Sequence, residues 1–543
     1  MRPRTDALRV AAVLLFTQLI AAAPAHAAFG IESFTAEVRK ADNTTLETQA
    51  GAHPFVGVTS FTFNSTASGP DGHVKDIRVD LPPGLISNPQ ATPRCTAAQF
   101  PSCPKETQVG TEELTAGVGP VPVTYTAEVY NMEVGPDGLA DFAFSVPVIA
   151  PRTDIIGGLR DRGDLGLFFT ISDIAQNANL VSSTLTFWGV PADPAHDAER
   201  GGPSTAPPTP FLTLPTLCAG PQTTTLSADS HEAPGQFVTK DAVTPTGATG
   251  CDLLPFSPLL AATADGRTSA AGGAGLTVAI TQPLEQSNVK SVSVVLPKEL
   301  TARGTTVAGA CPEATFVADP NGCAAAQVGT VTAATPVLPD ALSGPVYLVA
   351  HATGLPTIEA LLQGHKLSID LSGTITFGTT GQVNSTFGAV PDAPITSFVL
   401  DLPPGPHSAL SSTKGLCSGP LTMATTIVGQ SGARIEQATP IVVTNCSAST
   451  PAGKLRILRV RVKGAVATLT VQAPRKGTLI ATGKGLRRAS RSVARPGKVT
   501  LKVRLSKYGR SLRTRRHRAH RKLKVPVTLH LRSLKAKRTL TFK

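Results

Sequence analysis

Few residue patterns in this 543-residue chain have the types and spacing that chemistry requires. Ser411-Ser-Thr-Lys414 has the Ser-x-x-Lys spacing with which a lysine can deprotonate a serine nucleophile, but nothing else of that hydrolase signature accompanies it. A Ser/Thr-rich loop explains it. Gly477-Thr-Leu-Ile-Ala-Thr-Gly483-Lys484-Gly485 imitates a phosphate-binding loop, yet it has one residue too many between the glycines and no Ser or Thr after Lys484. It reads as a strand and a turn. Arg162-Gly163-Asp164 spells an adhesion tripeptide and reads as a turn before the apolar run from Leu167 to Ile171. Asp71-Gly72-His73 and the carboxylates between Asp193 and Glu199 are too few and too irregular for a calcium loop. The eleven His are dispersed, and none pairs by sequence with a nucleophile. No catalytic residue, metal site or cofactor is expected.

The eight cysteines carry a clearer message. Cys95, Cys103, Cys218 and Cys251 are followed by Cys311, Cys323, Cys417 and Cys446, a short-long-short spacing that occurs twice. Zinc would need cysteines two to four residues apart or nearby His pairs. The repeated spacing predicts disulfides Cys95–Cys103, Cys218–Cys251, Cys311–Cys323 and Cys417–Cys446, with no reactive thiol left over.

The remaining chemistry is electrostatic. Residues 451–543 hold 29 of the 50 Lys and Arg and none of the 37 Asp and Glu, so a body of formal charge −16 is joined to a tail of +29. The densest stretch runs from Lys507 to Lys522 and includes Arg510, Arg513, Arg515, Arg516, Arg518 and Arg521. Such a patch can bind a cell-envelope polyanion or an anionic polysaccharide, or can dock on the chain's own acidic modules. With no candidate reading helix, specific nucleic-acid recognition is not expected, although phosphate contacts would be strong and salt-sensitive. One Trp and four Tyr leave few stacking platforms for sugars or bases.

These residues must be positioned by strands. Apolar residues recur with period two at Ile77, Val79 and Leu81, at Leu367, Ile369 and Leu371, and at Phe398, Leu400 and Leu402, as in strands with one buried face. Pro82-Pro83-Gly84 and Pro403-Pro404-Gly405 end two of them by removing backbone donors. Laid on itself, the chain repeats. Asp76–Gly84 corresponds to Ser291–Glu299, Thr107–Thr111 to Ala326–Thr330, Val129-Tyr130 to Val346-Tyr347, and Leu217–Thr223 to Leu416–Thr422. Four matches in one order indicate two copies of a module of roughly 200 residues, arranged as beads in tandem. The basic tail shows about six strand-like runs, including Leu455 to Val462, Val499 to Leu505 and Val525 to Leu531, with Lys507–Lys522 as a connection between two of them.

The fold class is therefore all-β, with tandem immunoglobulin-like β-sandwich modules and disulfides. The expected domains are a signal peptide over 1–27, module 1 over 28–263, module 2 over 264–450 and a basic β-domain over 451–543. Linkers are expected at Gly201–Pro210 inside module 1, at Ala264–Gly275 between modules and at Ser447–Gly453 before the tail. The amino terminus has Arg2, Arg4 and Arg9, an apolar run to Ala23, and an Ala25-His26-Ala27 end, the pattern of a cleavable secretory signal. No later segment approaches a transmembrane segment, so a secreted protein, or one held noncovalently at the cell envelope, is expected.

Asp76–Gly84, the paired cysteines, Phe187-Trp-Gly-Val-Pro-Ala-Asp-Pro194, Gly250-Cys-Asp-Leu-Leu-Pro-Phe256 and Leu338–Tyr347 resemble the repeat modules of large secreted actinobacterial proteins. The likeness covers about residues 29–450, and the basic end is similar to the Lys/Arg-rich β-domain that often closes such chains. It implies compartment and architecture and transfers no activity and no functional residues. The expected function is a noncatalytic extracellular or envelope component, structural or adhesive, attached through its basic domain. The alternative is an extracellular glycan-active hydrolase or its substrate-binding accessory.

Overall fold

The computed structural model describes residues 29–66, 69–117, 122–135, 138–147, 149–161, 163–446 and 454–543. The signal segment, Arg162 of the tripeptide and the Ser447–Gly453 linker lie outside the described residues. The described chain is all-β, and it divides into one unit ending at Asn445 and a second from Cys446 to Lys543. No helix among the described residues is long and apolar enough to cross a membrane.

The first module is built from β1 (Ile31–Arg39), β2 (Val56–Phe63), β3 (Val74–Asp80), β4 (Gln108–Ala116), β5 (Val123–Asn131), β6 (Ala140–Val146), β7 (Ala150–Leu159), β8 (Leu167–Ile171), β9 (Ser182–Trp188), β10 (Thr223–Ser230) and β11 (Ala233–Val243). They form one sheet in the order β1-β2-β9-β4-β5-β6-β7-β8-β3-β10-β11. The second module repeats this plan strand for strand with β12 (Leu259–Asp265), β13 (Leu276–Thr281), β14 (Val289–Val295), β15 (Gln327–Ala334), β16 (Leu342–Ala350), β17 (Thr357–Gly364), β18 (Leu367–Phe377), β19 (Val383–Phe387), β20 (Ser397–Leu402), β21 (Leu421–Gly429) and β22 (Arg434–Thr444). Its order is β12-β13-β20-β15-β16-β17-β18-β19-β14-β21-β22. Each sheet wraps its apolar side chains inward, so the alternation in sequence becomes one buried face.

The copies differ at the seam. In module 2 the last strand pairs in parallel with the first, from Ala262↔Ile441 to Asp265↔Thr444, and the ring closes. In module 1 the corresponding β1 and β11 form no ladder. Lys240 Nζ on β11 donates instead to the carbonyls of Ile31 (3.4 Å) and Glu32 (2.7 Å).

The repeated Gln-Val-Gly-Thr string has a physical cause. Each copy sits at a bulge, between Gln108 and Gly110 in module 1 and between Gln327 and Gly329 in module 2. The glutamine side-chain amide donates to the glycine carbonyl at 3.1 Å and 3.2 Å respectively. A Cβ on Gly110 would lie 2.0 Å from the Thr186 carbonyl oxygen, and one on Gly329 would lie 2.1 Å from that of Asp401. Only glycine lets the neighbouring strand approach this closely.

Three expectations about boundaries need correction. Module 2 begins with β12 at Leu259, because that strand pairs with β13 and β22 rather than with module 1. Ala264–Gly275 is consequently the β12–β13 connection within module 2, not a linker between modules. The modules are also not separate beads, since they form one compact unit. Asp392, in the β19–β20 loop of module 2, accepts from the backbone amides of Thr216 and Leu217 (2.7 and 2.9 Å), the Thr216 hydroxyl (2.6 Å) and the Asn288 amide (2.8 Å). Asp161 of module 1 in turn accepts from the Ser368 amide at 2.9 Å.

The disulfides Cys95–Cys103, Cys218–Cys251 and Cys311–Cys323 are formed. Cys417 and Cys446 are disulfide-bonded as well, and no cysteine is free.

The described residues of the C-terminal unit form seven strands: β23 (Arg456–Lys463), β24 (Val466–Ala473), β25 (Gly477–Thr482), β26 (Ala489–Val493), β27 (Gly497–Arg504), β28 (Leu523–Leu531) and β29 (Leu534–Phe542). They form a three-stranded sheet, β23-β24-β27, and a four-stranded sheet, β26-β25-β28-β29. Leu469, Val471, Val527, Leu529 and Phe542 are fully buried in their common core.

Candidate polyanion-binding surface

The stretch read as a basic connection contains a helix, α1, from Lys507 to Arg518. Ser506 caps it, its hydroxyl accepting from the Gly509 amide at 3.1 Å. Gly509 lets the helix settle on the Gly485 turn, where a Cβ would meet the Gly485 carbonyl oxygen at 2.1 Å. Leu512 packs against the sandwich core. At the far end the Arg521 amide donates to the Arg516 carbonyl and the His520 amide to the His517 carbonyl, a Schellman closure with His520 at φ +50°. Arg515, Arg516, His517 and Arg518 in the last turn complement the negative end of the helix dipole. These contacts explain why so basic a segment is ordered.

Of the eight candidate binding residues, Lys507, Arg510, Arg513, Arg515, Arg516 and Arg518 lie on α1, and Arg521 and Lys522 follow it. All are exposed except Arg513, which is half-buried beside the Gly464 turn. At 100° per residue they do not share a face; the charge wraps much of the helix.

A second cationic surface was not singled out in sequence. On β24, Ala467, Leu469, Val471 and Ala473 point into the core, which turns Val466, Thr468, Thr470 and Gln472 outward. The register then fixes four rows across the sheet: Arg456–Gln472–Lys498, Arg459–Thr470–Thr500, Arg461–Thr468–Lys502 and Lys463–Val466–Arg504. Every cation in these rows is exposed. With no Asp or Glu between 451 and 543, no acidic side chain of the domain neutralises them. The alternation Arg459-x-Arg461-x-Lys463 was the available signal. That β27 joins β24 on the side opposite β23 was not visible in it.

The patterns discounted in sequence have structural roles. Ser411 meets Thr301 hydroxyl to hydroxyl at 2.9 Å, and the Ser412 hydroxyl donates to the Lys414 carbonyl. Gly477–Thr482 is strand β25. Asp193 accepts from the Ala195 amide as a cap (2.8 Å), and Asp197 pairs with the buried Arg200. His196, buried with its charged form disfavoured by desolvation, stacks between Phe55 and Trp188 at 4.4 and 4.6 Å. Partial desolvation of Asp370 on β18, with the charge of Glu359 on the neighbouring β17, pushes Asp370 up to about 7. The same Glu359 accepts from the Ser372 hydroxyl at 2.9 Å. A cavity of about 630 Å³ lies between the two modules, bordered by Phe169, Leu342, Ile369 and Asp370 among others.

No family model matches the chain, and no curated protein matches it in sequence. Among solved structures it is similar to the C-terminal domain of the AgI/II polypeptide BspA of Streptococcus agalactiae, at 8% identity, covering 76% of this chain and 100% of that one, with a TM-score of 0.18. The BSP domain of a biofilm associated protein matches at 8% identity over 95% of this chain and 81% of that one, with a TM-score of 0.17. The C-terminal domain of the Streptococcus pyogenes antigen I/II-family protein AspA matches at 9% over 76% and 99%, with a TM-score of 0.18. Scores of this size mark no common superposition, so nothing those proteins do transfers to this chain.

Proposed function

We propose that the chain is a noncatalytic extracellular or envelope protein, structural or adhesive, whose C-terminal unit holds an anionic polymer of the cell surface. The observation that carries this reading is a folded sandwich with 29 Lys and Arg, no acidic residue and its cations turned to solvent. Such a surface attracts polyanions over a Debye length and releases counterions on binding them. The bridged cysteines support an oxidising compartment. The two duplicated modules then serve as the rigid body that the basic unit attaches.

Salt-dependent sedimentation with isolated envelopes tests the proposal. Full-length protein is expected to pellet at low salt and to release as salt rises, while a chain ending at Thr450 stays in solution. If the two behave alike at matched ionic strength, the tail is not an anchor.

A second reading, that the modules act on or present a glycan, draws on the inter-module cavity and the protonatable Asp370 beside it.

A further inference from the structure

Resting on that reading, we infer that the outer face of β23-β24-β27, rather than α1, is the principal binding track, and that it takes a linear phosphodiester polymer laid along β24. The two faces of the sandwich are unequal. The outer face of the four-stranded sheet presents three lysines, Lys524, Lys535 and Lys537, whereas seven cations border the track. Charge is therefore concentrated by the fold and not merely by composition.

The track has a repeat. Neighbouring strands lie ~4.8 Å apart, so the cations of β23 and β27 form two rows roughly 9.6 Å apart, with the short Thr468 and Thr470 side chains as a floor between them. Along each strand, outward residues recur every ~6.8 Å. A chain with one negative charge every ~7 Å can place successive groups between facing cations such as Arg461 and Lys502. Three consecutive outward positions of β23 are cationic, and its arginines present the paired donors that fit phosphate oxygens. The hydroxyl floor can bond the linking groups. No aromatic side chain lies in the rows, so bases gain no stacking there. This favours a polyol-phosphate chain over a single-stranded nucleic acid. At one end, the Lys463–Arg504 row meets the Gly464 turn beside Arg513, so the helix extends the track.

The test compares two triple variants of the full chain that lose equal charge. One removes the centre of the track (Arg459→Gln, Arg461→Gln, Lys502→Gln) and the other the helix (Arg510→Gln, Arg515→Gln, Arg518→Gln). Binding to oligo(glycerol phosphate), to an oligothymidylate with the same number of phosphates and to a polyuronate is measured from 50 to 300 mM salt. The track variant is expected to lose about tenfold or more in affinity for the glycerol phosphate oligomer at 100 mM salt, with the salt slope reduced by about 2. The helix variant is expected to lose about threefold, on the order of one weak contact. Equal losses, or a larger loss in the helix variant, overturn the track. Tighter binding of the oligothymidylate or the polyuronate overturns the assigned polymer class. If the wild-type chain binds none of the three, the polyanion reading itself fails. A charge-preserving pair, Arg459→Lys with Arg461→Lys, controls for folding and should keep the wild-type salt slope, because the charge is unchanged; a slope reduced as in the triple variant would trace that loss to misfolding and overturn the track.

Discussion

Glu112 offers the sharpest test of how the duplicated modules diverged. It lies on β4 with its side chain inside module 1, only 3% exposed, and its carboxyl accepts from the Ser183 hydroxyl at 2.6 Å. Burial is the main cause that pushes its pKa from 4.5 to about 8. The Ser183 hydrogen bond works against that rise, and the neighbouring Glu113 charge adds to it. The internal repeat aligns Thr111 with Thr330, which places Val331 at the position equivalent to Glu112, and the strand registers place Phe398 at the position equivalent to Ser183. One copy thus fills with apolar groups the space where the other holds an acid.

Below about pH 4.5 the folded and unfolded chains both hold the Glu112 proton, so stability does not change with pH through this group. Between pH 4.5 and about 8 the unfolded chain has released it and the folded chain has not. Stability therefore falls by roughly 1.4 kcal/mol per pH unit, to a total of at most about 5 kcal/mol. Glu112→Gln keeps the shape and the acceptor for Ser183 but cannot ionise. The assay is urea unfolding between pH 4.5 and 8.5, followed by the fluorescence of Trp188. That residue is the chain's one tryptophan, is fully buried, and lies on β9, which pairs with β4. The variant should match wild type near pH 4.5 and exceed it increasingly towards pH 8. A gap that stays constant over this range refutes a buried, neutral Glu112.

Two further perturbations address the junction and the helix. Asp392→Ala leaves two backbone amides, the Thr216 hydroxyl and the Asn288 amide without their shared acceptor. A loss of about 2 to 4 kcal/mol at the junction is expected, read as faster proteolysis of the segment 252–258 between modules; unchanged cleavage would count against Asp392 as the clasp. His520→Gly relieves a left-handed backbone at φ +50° and should stabilise the C-terminal unit by roughly 0.5 to 1 kcal/mol, measured as a higher melting temperature for its transition. A lower one would mean that the imidazole makes a contact worth more than the strain.

What the sequence made legible follows from the range of each interaction. Period-two alternation is local, so strands such as Leu523–Leu531, with Leu523, Val525, Val527, Leu529 and Leu531 all buried, could be read from the chain. The duplication was equally legible, and it carried the disulfide pairs with it. Helix α1 was not, because amphipathic periodicity is the usual signal, and here one leucine and a glycine contact take the place of an apolar stripe. Ser506 was the one visible cue. The cationic track is less local still. Its β23 cations alternate within eight residues, but the cations of β27 reach the same face by a pairing that skips β25 and β26. Glu112 shows the same limit from the inside. Its neighbours in sequence, Thr111 and Glu113, suggest an ordinary wet strand face, and only the pairing that brings β9 alongside reveals a carboxyl enclosed with Ser183. Comparing the two copies could have exposed it, since a Glu aligned with a Val inside a repeated strand marks a polar group turned into a core, where it needs a partner such as the Ser183 hydroxyl.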